Sequence, residues 1–171
     1  MCGIIGINSN KEVTSTILNS LRKLEYRGYD SAGIATLNSG YIQEVKCEGR
    51  VDNLEKNIIK NKLLGNVGIG HVRWATHGIP STLNAHPHSS DNVSVVHNGI
   101  IENSTLLKKF LVKKGHRFKS QTDTEVIVHL ITEYLKKNNL IDTLTKVLKK
   151  LHGSFALGII FKDEPDLIVG A

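Results

Sequence analysis

Cys2 stands directly behind the initiator methionine, a position that gives a thiol something no internal cysteine has. A residue this small allows Met1 to be trimmed, which leaves Cys2 with a free α-amino group. A cysteine needs a base to become a thiolate near neutral pH. An α-amine, with a reference pKa of roughly 7.7–8.0, is partly unprotonated there and can take the thiol proton directly or through a water. Nucleophile and base would then come from one residue. Read alone, Met1-Cys2-Gly3-Ile4-Ile5-Gly6 is also an ordinary opening for a buried strand. The chemical reading stands only if other residues supply what acyl transfer requires.

Three places offer such parts. An attacked carbonyl develops an oxyanion, and preorganised N–H donors aimed at it lower the barrier by several kcal/mol. Asn98-Gly99, at the end of an apolar run, offers a side-chain amide and a backbone N–H, although Asn-Gly by itself more often marks a plain turn. Arg73 carries a guanidinium whose fork matches a carboxylate, yet an arginine in a polar loop is more often simply solvated. Asp123 falls in the first turn of an expected helix, where negative charge is favoured in any case, and it can also pair with an ammonium group. A metal site is the rival use of the histidines. His71, His77, His86, His88 and His97 cluster in sequence, but they lack a recognised zinc spacing or an acidic partner, so no metal is expected.

The elements that must hold these residues follow from periodicity. A strand is expected over 2–8 and a helix over 11–25, the latter from Val13, Ile17, Leu18, Leu21 and Leu24. After the polar segment Arg27–Ser31, residues 32–37 and 41–47 read as a hairpin broken at Asn38-Ser39-Gly40. Val51, Leu54, Ile58 and Leu63 predict a helix ended by Gly65, and 67–72 a buried strand. The stretch 73–92 has little periodicity and is long for a loop in a compact domain, which points to function. Val93–His97 is a strand. Asn103 is placed to cap a helix carrying Leu106, Leu107, Phe110 and Leu111, with Gly115 as its stop. Thr122 and Glu125 form a capping-box pattern before Val126, Ile127, Leu130, Ile131 and Tyr134. Leu144, Val147, Leu148 and Leu151 predict a last helix ended by Gly153, followed by strands over 154–161 and, after Pro165, 166–171. Hairpin neighbours, and the lack of a glycine-rich phosphate loop, predict an α+β domain with helix-covered antiparallel sheet.

Composition sets the wider limits. With 171 residues, 40% hydrophobic and 22% charged, the chain is expected to form one domain with a sizeable core. No apolar run approaches the roughly 18 residues of a membrane span, and no basic segment leads into an apolar one at the start, so neither a membrane role nor secretion is expected. Two cysteines make no disulfide framework, which agrees with a cytoplasmic home. The net charge of +6 comes mostly from lysine pairs spread along expected helices, with few aromatics, so solvated faces account for it and nucleic acid is not an expected partner. The chain stops in or just after a strand, the expected sign of a fragment of a longer protein.

Taken in order, Cys2–Gly6, Arg27-Gly28-Tyr29-Asp30-Ser31-Ala32-Gly33, His71-Val72-Arg73-Trp74-Ala75-Thr76-His77-Gly78, Asn84–His88, His97–Asn103 and Thr122–Glu125 resemble a known set. They are similar to the glutaminase domains of glutamine–fructose-6-phosphate aminotransferases (isomerizing). These are class II glutamine amidotransferases of the N-terminal-nucleophile hydrolase superfamily, and the likeness spans essentially the whole chain. It implies a four-layer αββα sandwich of two antiparallel sheets between helical layers. It also implies that Cys2 attacks the side-chain amide of L-glutamine with its own amine as base, and that Asn98 and Gly99 form the oxyanion hole. By the same resemblance Arg73, helped by Thr76 and His77, holds the glutamine α-carboxylate, Asp123 holds the α-ammonium, and Trp74 belongs to a loop that closes over the substrate. Arg27 and Tyr29 fall in a supporting motif, and the roles of His86 and His97 are left open. No cofactor is implied. Family members carry further sugar-phosphate isomerase domains that bind fructose 6-phosphate, accept the ammonia to make glucosamine 6-phosphate, and form homo-oligomers; residues 1–171 are expected to be the glutaminase part, truncated at its C-terminal end. The alternatives are another class II amidotransferase, such as amidophosphoribosyltransferase, and a non-catalytic glutamine-binding module.

Overall fold

The computed structural model describes residues 2–75 and 78–171, and among these described residues it has eight strands and five α-helices. Strands β1 (Gly3–Asn8), β2 (Ser31–Asn38), β3 (Tyr41–Glu48) and β4 (Val67–Arg73) form one antiparallel sheet in the order β1-β4-β2-β3. Strands β5 (His88–Ser89), β6 (Val93–Gly99), β7 (Phe155–Phe161) and β8 (Glu164–Gly170) form a second in the order β5-β6-β7-β8. Helices α1 (Thr14–Leu24) and α2 (Val51–Asn61) cover the first sheet; α4 (Thr124–Leu135) and α5 (Leu140–Lys150) lie over the second, with α3 (Ser104–Lys113) against α4.

The layering follows from which residues are apolar on both faces of a strand. Ile34 and Val72 turn outward under Ile17, Leu21 and Leu54 of the first helical layer. Ala35, Leu37, Val67 and Ile69 turn inward and meet Val96 and Ile160 of the other sheet. Val93, Val95, Leu157 and Ile159 face Val126, Ile127, Leu130, Ile131 and Val147 of the second helical layer. Strands covered on both sides lose the polar alternation of a half-exposed sheet, and β2 and β4 are buried almost throughout. The expected αββα sandwich is what forms.

Side-chain alternation then directs chemistry to one end of the inter-sheet layer. Ile4 faces inward, and so does Cys2. Ile69 faces inward, and so do His71 and Arg73; Val96 does the same for Asn98.

Several local expectations are corrected by tertiary contacts. Asn98-Gly99 is not a turn: both residues pair with β7, opposite Ala156 and Phe155. Asn103 caps nothing with its side chain, which instead accepts from His152 N–H and donates to the Lys150 carbonyl, tying α3 to the end of α5. The face expected to bury α3 is largely open, with Leu106 and Phe110 exposed and Leu111 buried, because α3 leans mainly on α4. The capping box does not form, since Asp123 occupies the N-cap of α4 and the Glu125 carboxylate reaches past Thr122 to the N–H groups of Lys119 and Ser120. Helix α2 ends at Asn61, with Lys62 left-handed, before Gly65 is reached. The long stretch 73–92 contains the short strand β5, and β8 begins before Pro165 rather than after it.

Candidate active site

Cys2 sits just beyond the register pair Gly3–Val72, which places it beside the end of β4. Its sulfur is 3.3 Å from the Trp74 N–H, which donates to it, and 3.6 Å from the Trp74 carbonyl. Its carbonyl accepts from Arg27 Nε at 3.1 Å and from Asn98 Nδ2 at 3.3 Å. The thiol is half-buried and held by backbone rather than by a charged side chain. Cys47 is of another kind: buried under α2, its thiol is pushed up to about 11 by desolvation.

Asn98 is fixed from both ends of its amide. Oδ1 lies 3.0 Å from His71 Nε2, and Nδ2 faces the Cys2 carbonyl, leaving its second N–H hydrogen for a ligand in the cavity. The ladder shows where the Gly99 N–H points. Ile100 N donates to Ser154 O and Lys162 N to Asn92 O, so the even-numbered positions of β6 exchange bonds with β7 and the Gly99 N–H faces away from it. Gly99 has φ +120, and a Cβ there would lie 2.1 Å from the Ser154 carbonyl; only glycine fits.

Arg73 is buried, with Nη2 donating to the Gly78 carbonyl at 3.1 Å and Nη1 3.6 Å from Asp30 Oδ1. Asp30 binds the same segment a second time through the Ala75 N–H, and its own N–H donates to the Arg73 carbonyl. This close approach requires Gly28, where a Cβ would fall 2.5 Å from the Arg73 carbonyl carbon. Trp74 is half-exposed and packs edge-on to Tyr29 at 5.7 Å. Across the cavity, Asp123 Oδ2 accepts from the Ile101 N–H at 2.8 Å, while Oδ1 lies 4.0 Å from His97 Nδ1. The next residue, Thr124, puts its hydroxyl between His86 Nε2 (2.7 Å) and His97 Nδ1 (2.8 Å). One hydroxyl hydrogen can serve only one of the two rings, so at least one imidazole donates its N–H to the Thr124 oxygen. Desolvation lowers His86 well below the usual imidazole range and takes His71 and His88 to about 3, which keeps all three neutral.

These residues share one cavity of about 470 Å³, lined by Cys2, Arg73, Trp74, Asn98, Gly99 and Asp123 among others. A thiol, two N–H donors, a guanidinium and a carboxylate around one cavity make an arrangement that can attack an acyl carbon while gripping a zwitterion. Thr76 and His77 lie outside the described residues. The sequence reading left out Asp30 as the partner of Arg73, His71 as the partner of Asn98, and Thr124 as the bridge between two histidines. The signals were the quoted segments themselves: Asp30 and His71 lie inside them, but contacts across 43 and 27 positions have no periodicity to betray them.

Residues 71–170 match the family described as glutamine amidotransferase domain. The chain is 56% identical over 171 residues to the glutamine–fructose-6-phosphate aminotransferase (isomerizing) of Clostridium acetobutylicum, covering 99% of this chain and 28% of that protein. It is 51% identical over 172 residues to that of Mesorhizobium japonicum, covering 100% and 28%. Among solved structures, glutamine phosphoribosylpyrophosphate amidotransferase from B. subtilis, complexed with ADP and GMP, superposes with a TM-score of 0.82 at 30% identity, over 95% of this chain and 35% of that one. The chain thus spans about 28% of the length of the curated relatives it matches. With more than half of its length matched, the chain belongs to the glutamine amidotransferase domain family.

Proposed function

We propose that this domain hydrolyses L-glutamine to glutamate and ammonia with Cys2 as nucleophile, once Met1 has been removed. The observation that carries the reading is the convergence of Cys2, the Asn98 amide and the outward Gly99 N–H on one cavity wall, with Arg73 and Asp123 in the same cavity. In the step proposed, the free amine of Cys2 takes the thiol proton and the sulfur attacks the side-chain carbonyl of glutamine. The oxyanion is received by Asn98 Nδ2–H and Gly99 N–H. The amine returns its proton to the leaving nitrogen, ammonia departs, and water cleaves the thioester. Arg73, with Thr76 and His77, grips the α-carboxylate, Asp123 the α-ammonium, and the segment bearing Trp74 closes over the substrate. Catalysis asks for no cofactor and no metal.

The relatives support a wider role. Residues 1–171 are the glutaminase part of a longer cytoplasmic protein, homo-oligomeric as a whole, whose remaining domains bind fructose 6-phosphate and use the ammonia to make glucosamine 6-phosphate. Identities of 46–56% along the chain favour this over the phosphoribosyl branch, where the B. subtilis enzyme is 30% identical. Among the described residues no helix is long and apolar enough to cross a membrane.

Intact-mass analysis after treatment with a glutamine-mimicking diazo-ketone tests the mechanism. The expected product lacks Met1 and carries one adduct, on Cys2. A retained Met1, or an adduct only on Cys47, would overturn it. For the longer protein, amination of fructose 6-phosphate is expected; amination of phosphoribosyl pyrophosphate instead would select the other branch.

A further inference from the structure

We propose that His71 is the positioning residue that decides which way the Asn98 amide faces, by donating its Nε2–H to Asn98 Oδ1. The proposal rests on the glutaminase reading and adds to it the device that keeps an oxyanion donor, rather than an acceptor, turned to the reacting carbon.

His71 Nε2 is 3.0 Å from the His97 carbonyl and 3.0 Å from Asn98 Oδ1. A backbone carbonyl can only accept, so Nε2 must carry the hydrogen, and a nitrogen that donates there demands an acceptor at its second partner as well. The other ring nitrogen agrees, for Nδ1 is buried with no hydrogen-bond partner among the described residues. A proton placed there would be an unsatisfied buried donor, whereas a bare lone pair is the cheaper state to bury. Desolvation holds the ring neutral, so there is one N–H to place. The ring itself cannot turn: it is fully buried and stacked on His86 with centroids 4.3 Å apart.

Asn98 therefore receives its orientation from the opposite sheet. With Oδ1 taken by His71, the amide nitrogen is forced toward Cys2, where it meets the Cys2 carbonyl at 3.3 Å. A flipped amide would set Oδ1 against that carbonyl and against the oxyanion, and N–H against N–H at His71. His71 and Asn98 lie on facing inner surfaces of the two sheets, so the packing that builds the sandwich also aims the donor.

The test compares His71→Leu and His71→Gln, each alone and combined with Asn98→Ala, by kcat and KM for glutamine hydrolysis. Removing an oxyanion donor outright costs about 10²–10³ in kcat, and letting it flip should cost less, roughly 10- to 100-fold for His71→Leu with KM nearly unchanged. His71→Gln, which can present an N–H at similar reach, should recover most of the loss. In the Asn98→Ala background, His71→Leu should lower kcat no further. An equal loss in both backgrounds, a change in KM instead of kcat, or full activity in His71→Leu would overturn the proposal. Should His71→Leu not fold, ¹⁵N NMR of the wild-type ring decides: a proton on Nε2 is expected, and a proton on Nδ1 refutes it. That measurement is independent of turnover, so an inactive, unlabelled wild type would sink the glutaminase reading without touching this one.

Discussion

Replacing Glu125 by glutamine removes a charge that holds the edge of the site together. The carboxylate accepts from Lys119 N–H at 2.8 Å, Ser120 N–H at 2.7 Å and the Ser120 hydroxyl at 2.7 Å, with His129 Nε2 at 3.4 Å. Burial by itself would raise its pKa, but the His129 ring beside it and the hydrogen bonds from Lys119 and Ser120 outweigh it and bring the group from the usual 4.5 down to about 2. At 1.36 kcal/mol per pH unit that span corresponds to about 3 kcal/mol, and since Glu125 also lines an open groove, about 2 kcal/mol is the expected loss at pH 7. The folded-state pKa is depressed, so the stabilisation is complete above the ordinary carboxylate pKa and disappears as pH falls from about 5 to 2. Urea denaturation of wild type and Glu125→Gln, followed by circular dichroism across that range, reads both quantities. The reasoning fails if the two differ by less than about 0.5 kcal/mol at pH 7, or if their gap does not narrow on acidification. A milder consequence is a raised KM for glutamine, because the turn that Glu125 pins leads directly into Asp123.

Cys2→Ser should lower glutaminase turnover on the order of 10³-fold or more, while glutamine still binds, as calorimetry would show; undiminished turnover refutes the nucleophile assignment. Gly99→Ala puts a Cβ 2.1 Å from the Ser154 carbonyl at φ +120, a conformation costing alanine about 1–2 kcal/mol before the clash is relieved. It should reduce kcat at least about tenfold with a lowered Tm, since the Gly99 N–H is turned from its aim. Arg73→Lys replaces a fork wedged between Asp30 and Gly78 by a point charge and should raise KM more than it lowers kcat in steady-state assays. Ile127→Ala empties a fully buried position of α4 and should cost about 2–5 kcal/mol in chemical denaturation.

How legible the molecule was in its sequence varied with the range of the interaction. Helices α1, α4 and α5 were readable because their apolar spacing is a local record of which face is buried, and the β2–β3 hairpin because Ser39-Gly40 takes positive φ between two apolar runs. Caps were read less well. Asn103 and Thr122 have the residue types for capping, but each side chain found a partner elsewhere: Asn103 at the end of α5, Thr122 on Ser120 and His88. Local propensity gives way where a distant group offers the same hydrogen bond with better burial.

The candidate site divides in the same manner. The sequence by itself determined the reactive groups: a cysteine that trimming can make N-terminal, an Asn-Gly pair, an arginine and an aspartate, each legible because its chemistry belongs to its own side chain. Only the tertiary structure decided how they are aimed. Asn98 is oriented by a histidine on the other sheet, Arg73 is seated by Asp30 across Gly28, and Gly99 turns its N–H outward because β6 continues in register with β7 beyond the point where a turn was expected. The physical reason is that a hydrogen bond's partner is set by the distance and angle that packing creates, and packing between two sheets leaves no periodic trace in either strand.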